Sequence, residues 1–153
     1  MIENNWITLV KPNKVDYKIS DNKKFGTVVI EPLEKGFGTT LGNALRRVLL
    51  SSLQGTAISS IKINGVLHEF STIEGVREDV TDIIMNLKNV TFNSKSNHSQ
   101  KLSLNVKGPK EVLSSDFEDN PEVEIIDKEA VIMNVDSNRE VNLEIFLDVN
   151  KGY

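Results

Sequence analysis

EKGFGTTLGNALRRVLLSSL, residues 34–53, sets Gly36, Gly38 and Gly42 close together and then runs straight into a strongly patterned apolar stretch. Leu41, Ala44, Leu45, Val48, Leu49 and Leu53 fall at i, i+3, i+4, i+7, i+8 and i+12, one broad apolar stripe on a helix. Thr39 or Thr40 is expected to cap it. The glycines invite comparison with phosphate-binding loops, and the spacing rejects both common forms. A dinucleotide fingerprint counted from Gly36 and Gly38 needs its third glycine where Leu41 stands, with Gly42 one place late, and TAISSIKI occupies the region where the ribose-binding acid should lie. A P-loop requires Gly-Lys-Ser/Thr after a fixed gap, and that is missing. The expected use of the glycines is structural: Gly36 and Gly38 turn the chain from strand into helix, and Gly42 permits close helix packing.

The other face of this helix carries a second stripe. Asn43, Arg47, Leu50 and Gln54 follow i, i+4, i+7 and i+11, with Arg46 at the edge. A single exposed leucine is ordinary on a soluble protein. Arginine beside leucine on a helix whose opposite side is already committed is also what an interface hot spot looks like, since guanidinium groups and apolar anchors carry binding energy. The pattern alone leaves both readings open.

Outward from this helix, a second one is expected in GVREDVTDIIMNLKNV, where Val76, Val80, Ile83, Ile84 and Leu87 form an apolar face. Its acids Glu78 and Asp79 suit the helix amino terminus and Lys88 suits the carboxy terminus. Strands are expected in FGTVVIEPL (25–33), KLSLNVKG, EVEIID and VNLEIFLDVN. In the last, Val141, Leu143, Ile145, Leu147 and Val149 share one face. SSIKINGVLHEF reads as a tight hairpin about Asn64-Gly65, with His68 on its returning strand. NSKSNHSQK (93–101) and SSDFEDNP (114–121) read as loops. The fold class is α+β: a strand-plus-helix segment over 1–53 and an antiparallel β-rich region with one wet side over 54–153.

Composition narrows the function classes. The 153 residues contain no cysteine, which excludes disulfides, thiolate metal sites and thiol nucleophiles and fits a reducing cytoplasm. No apolar run approaches the roughly 20 residues needed to span a bilayer. Residues 1–60 carry eight basic against five acidic side chains, and residues 61–153 carry ten against seventeen. The acidic second half argues against wrapping nucleic acid. His68 and His98 have no partners at metal-ligand spacing, and Glu122 and Glu124 read as solubilising charge on a strand face. No catalytic, cofactor or metal residue is expected.

EPLEKGFGTTLGNALRRVLLSS followed by GVLHEFSTIEGVREDVTDIIMNLK closely resembles the amino-terminal domain of the alpha subunit of bacterial RNA polymerase. The resemblance is most specific over residues 30–88 and runs more loosely from KPNKVDY to the final KGY. It implies a dimerisation subdomain, incomplete here, with an inserted β-rich subdomain, and a non-catalytic scaffold that dimerises and docks the beta and beta-prime subunits of a nucleotidyltransferase complex. The stripe from Leu41 to Leu53 would serve the core and the homodimer. The beta subunit would meet Asn43, Arg46, Arg47 and Leu50 on the helix and His68, Glu69, Ser71 and Glu74 on the second segment; beta-prime would meet Lys88. Family members continue beyond this length, so the resemblance implies a carboxy-terminally truncated form that is monomeric or weakly associating alone and does not contact DNA. The alternative is a free-standing dimeric regulator that reuses the fold to bind polymerase subunits or another protein.

Overall fold

A computed structural model describes residues 7–21 and 25–152 and resolves them into two compact units, one up to Ser52 and one from Leu53 onward. In the first, β1 (Lys14–Ile19) and β2 (Gly26–Glu31) pair antiparallel, with Lys14 opposite Glu31 and Ile19 opposite Gly26. β1 is not evident in the sequence, because KVDYKI interleaves charges on both faces. β2 fills most of the expected strand and stops at Glu31, just before Pro32. The helix α1 (Phe37–Ser51) begins earlier than the threonines suggest. Its N-cap is Gly36, at φ 90°, with no side-chain cap, and Thr39 and Thr40 lie inside the helix. The left-handed conformation at Gly36 accounts for glycine there, since a Cβ disfavours it. A Cβ at Gly38 or Gly42 would meet nothing within 4 Å, so neither serves close packing within this chain.

No residue of α1 is buried. Leu45, Val48 and Leu49 of the apolar stripe stay substantially exposed, and so do Val15, Tyr17, Ile19, Val28 and Val29 on the β1–β2 ribbon; Leu53 and Gln54, expected on the helix, lie past its end, because the helix stops at Ser51 and a strand opens at Gln54. Among the described residues, no core is built on the stripe.

The second unit is built on a five-stranded sheet in the order β5-β9-β3-β4-β7. Its members are β3 (Gln54–Ile63), β4 (Phe92–Ser94), β5 (Gln100–Lys107), β7 (Val123–Ile125) and β9 (Glu140–Lys151). A separate two-stranded sheet pairs β6 (Lys110–Leu113) with β8 (Val131–Val135). The long β9 forms the spine, pairing antiparallel with β3 on one side and β5 on the other. Its side chains alternate: Val141, Leu143, Ile145 and Leu147 are buried, while Asn142, Glu144 and Phe146 are not. Leu102, Leu104 and Val106 of β5 join the same core. So do Val80, Ile83 and Leu87 of the helix α2 (Val80–Lys88), as its periodicity predicts. α2 is shorter than its apolar pattern, with Val76 outside it. Asp79 ends the non-helical approach and accepts from the Asp82 N–H at 2.7 Å, a side-chain cap.

The expected hairpin does not form. Asn64 and Gly65 do make a turn, closed by Val66 N–H to Ile63 C=O at 3.2 Å with Gly65 at φ 80°. The chain then leaves as a loop, and His68 lies in that loop rather than in a strand. β3 takes β9 instead, because pairing Ile61 and Ile63 with Ile145 and Leu143 extends a ten-residue strand that VLHEF could not match. The segment expected as a loop at 114–121 opens with a 3₁₀ turn, Ser114–Asp116.

Candidate subunit interface

The residues assigned to partner contact divide between the two units. Asn43, Arg46, Arg47 and Leu50 lie on α1, all exposed. His68, Glu69, Ser71 and Glu74 lie on the loop that joins β3 to α2, and Lys88 sits in the last turn of α2.

That loop is long but heavily tied. Ser71 donates from its N–H (3.3 Å) and its hydroxyl (2.7 Å) to the His68 carbonyl, so its side chain folds the loop on itself. The Glu69 carbonyl accepts from Thr81 Oγ1 at 2.9 Å, and the Ser71 carbonyl accepts from Val80 N–H at 3.1 Å; both bonds clamp the loop to the start of α2. Ile73 anchors the middle in the core. At the far end the β8–β9 connection takes hold: Asp136 N–H donates to the Gly75 carbonyl at 2.9 Å, and Arg77 N–H donates to the Asn134 carbonyl at 3.0 Å. Glu78 receives both the Asn134 backbone N–H (2.7 Å) and its side-chain amide (2.8 Å). Two exposed ion pairs, Arg139–Glu74 at 2.9 Å and Arg77–Asp136 at 3.1 Å, cross the same junction. Gly75 sits at φ 81°, and a Cβ there would overlap the Ser137 hydroxyl.

The outcome is an ordered backbone that presents large apolar side chains to solvent. Leu67 is 98% exposed and Phe70 80% exposed. Neither was singled out in the sequence, where both read as members of a returning strand. Burying two such side chains on a partner would contribute about 1.5–3 kcal/mol each. Glu74 is committed to Arg139, whereas Lys88 has no ion-pair partner among the described residues. Nearby Glu69 and Lys88 line one groove of about 320 Å³ together with Ile58, Ile61, Ile84 and Leu87.

Among the described residues no group of three or more His, Asp or Glu side chains could hold a metal ion, and no helix is long and apolar enough to cross a membrane. His68 and His98 are exposed and far apart in the chain.

The second unit is an antiparallel α+β domain that exposes Leu67 and Phe70 on a tethered loop. The family model for the RNA polymerase Rpb3/RpoA insert domain matches residues 61–153. The chain belongs to that family and is an RNA polymerase subunit of the alpha/Rpb3 type, with a role in transcription. The match takes in the loop, α2 and the sheet from the end of β3 onward; α1 lies outside it.

Proposed function

We propose that this chain acts as a bacterial-type alpha subunit: a non-catalytic, cytoplasmic assembly scaffold in DNA-directed RNA polymerase. The apolar stripe Leu41, Ala44, Leu45, Val48, Leu49 and Leu53 pairs with a second copy. Asn43, Arg46, Arg47 and Leu50, with His68, Glu69, Ser71 and Glu74, receive the beta subunit, and Lys88 receives beta-prime. The observation that carries this reading is the exposed apolar stripe of α1, where Val48 is 49% exposed and Leu49 62%. A helix this apolar on one face finds its stability in tertiary or quaternary cover. Arg47 on the opposite face is exposed and free to form the forked hydrogen bonds that interfaces favour.

The test is Arg47→Ala. Its loss should leave folding within about 0.5 kcal/mol of the parent, as at most surface positions. Binding to purified beta subunit should weaken by about 2 kcal/mol, roughly thirtyfold. A variant that melts like the parent and captures beta equally well removes Arg47 from the interface.

A further inference from the structure

β3 is an interior strand with half of one edge open. Its contact with β4 is a single pair, Thr56 opposite Phe92, after which β4 turns away to β7. Beyond that pair no strand among the described residues lies beside the β4-side edge of β3, although β9 pairs along the other side as far as Ile63. The direction of the backbone groups follows from the ladder. Asn64 N–H donates to the Asn142 carbonyl at 3.0 Å, so the alternation of an antiparallel pair turns Lys62 and Ser60 toward β9 and Ile61 away from it. At the other end Gly152 N–H reaches the Leu53 carbonyl, which by the same alternation turns Thr56 and Ile58 outward. Thr56 meets Phe92, but among the described residues no backbone hydrogen bond reaches Ile58 or Ile61 on that side. The β-bulge at Ser59 separates these two unpaired positions.

What faces this gap is a groove. The cavity beside Ile58 and Ile61 has its other wall on α2 and Glu69, and a second cavity of about 220 Å³ continues it along Ile63 toward Leu67. The two share Ile61, Glu69 and Ile84, so one trough follows the open edge. Unpaired backbone donors and acceptors beside partly buried apolar side chains are costly to leave unmet. An extended backbone lying about 4.8 Å away, the spacing of neighbouring strands, would meet them. Lys88, at the groove's end and without an ion-pair partner among the described residues, adds a preference for negative charge.

We infer that the open edge of β3 at Ile58–Ile61 is a strand-addition site, which takes a short extended segment of the polymerase subunit that docks at Lys88. The segment presents apolar side chains to Ile58, Ile61 and Ile84 and an acidic side chain to Lys88. This rests on the reading that Lys88 faces beta-prime, and it adds the mode of recognition: main-chain hydrogen bonds to β3 rather than side-chain contact alone.

Amide hydrogen exchange at single-residue resolution, on the full chain with and without purified beta-prime, tests it. In the free chain the Ser60 and Lys62 amides should exchange slowly and the Ile61 amide faster, and slow exchange at Ile61 in the free chain overturns the open edge. With beta-prime bound, the Ile61 amide should slow by on the order of 100-fold while Ser60 and Lys62 change little. Lys88→Glu should weaken binding at least tenfold. If beta-prime binds, Lys88→Glu weakens it, and Ile61 keeps its free rate, the strand addition is wrong and the Lys88 reading stands. If beta-prime does not bind the parent chain, both fall.

Discussion

β9 and α1 are the two most regularly patterned segments of the molecule, and their surroundings differ completely. On β9 the alternation delivers Val141, Leu143, Ile145 and Leu147 into a core assembled from β3, β5 and α2. On α1 an equally clean helical stripe buries nothing. A periodic apolar face shows that a segment requires cover; it does not show where the cover comes from. β9 finds its complement in strands of the same chain, one of them some 80 residues away, because each neighbour carries a matching face in register. Among the described residues, unit one offers α1 a two-stranded ribbon whose own apolar side chains, Val15, Tyr17 and Ile19 among them, are exposed. Such a ribbon is marginal alone.

The largest expected effect tests the buried side of this contrast. Ile145 is fully buried at the centre of the spine, between Leu102 and Ile61 on its neighbours. Ile145→Ala should cost about 2–5 kcal/mol through lost burial and an uncollapsed cavity. Chemical denaturation monitored through the β-sheet signal measures it. A loss below about 1 kcal/mol would show that the sheet relaxes around the cavity and that the core is less tightly determined than its burial indicates.

How much was legible follows the same division. β5 and β9 alternate over eight residues or more, and α2 carries a full helical face, so local pattern sufficed. The hairpin failed because Asn64-Gly65 specifies a turn but not the pairing of its arms. Leu67 and Phe70 belong to a loop held by side-chain caps and bridges to the β8–β9 connection, contacts between residues some 60 apart that no local window contains. β8 escaped notice for a different reason: VIMNV is buried on both faces, at Ile132, Met133 and Val135, and so does not alternate. Of the proposed contact residues, Arg47 stands out by its place on the helix, whereas Glu69 and Lys88 are implied only by the family resemblance. The groove that Glu69 and Lys88 share depends on the open edge of β3, which is a property of the sheet order.

Next in size is the junction that ties the loop to the second unit. Gly75→Ala places a Cβ at φ 81° and against the Ser137 hydroxyl, and should cost about 1–3 kcal/mol. Ser137→Gly in the same chain removes the overlap but leaves the backbone strain, so it should recover part of the loss. Full recovery would mean that the overlap alone requires glycine here. No loss in the single variant would mean that the β8–β9 connection does not hold the loop.

A smaller, pH-dependent effect belongs to Asp116, also in the second unit. Burial works to raise its pKa, but the Lys110 ammonium at 2.6 Å and the Leu113 N–H at 3.0 Å outweigh it, and the carboxyl titrates below its usual range. A carboxyl depressed in the folded state stabilises above its unfolded pKa of about 3.9, and that contribution fades as pH falls through the folded value. Asp116→Asn should therefore cost about 1 kcal/mol at pH 7, and the gap from the parent should narrow as pH falls below the usual carboxylate range. Paired melting curves at pH 7 and pH 2.5 measure it. A gap that persists at the lower pH would assign the effect to packing.

The smallest expected effect bears most directly on the contrast. Leu45 lies mid-stripe on α1 and would count as a core position by its periodicity, with a truncation cost like that of Ile145. In this chain it is 46% exposed, and the cavity term that makes core truncations expensive requires closer cover than the described residues give it. Leu45→Ala should then change the stability of the free chain by about 0.5 kcal/mol or less, and alanine's higher helix propensity offsets part of even that. Concentration supplies the second axis. If a second copy covers the stripe, the same substitution should lower the midpoint of self-association measured by sedimentation, because burial at an interface restores the missing neighbours. A small effect on folding with a large one on association places the cover outside the chain. A cost of several kcal/mol in dilute, monomeric protein would place it inside, and the contrast between β9 and α1 would then be one of degree.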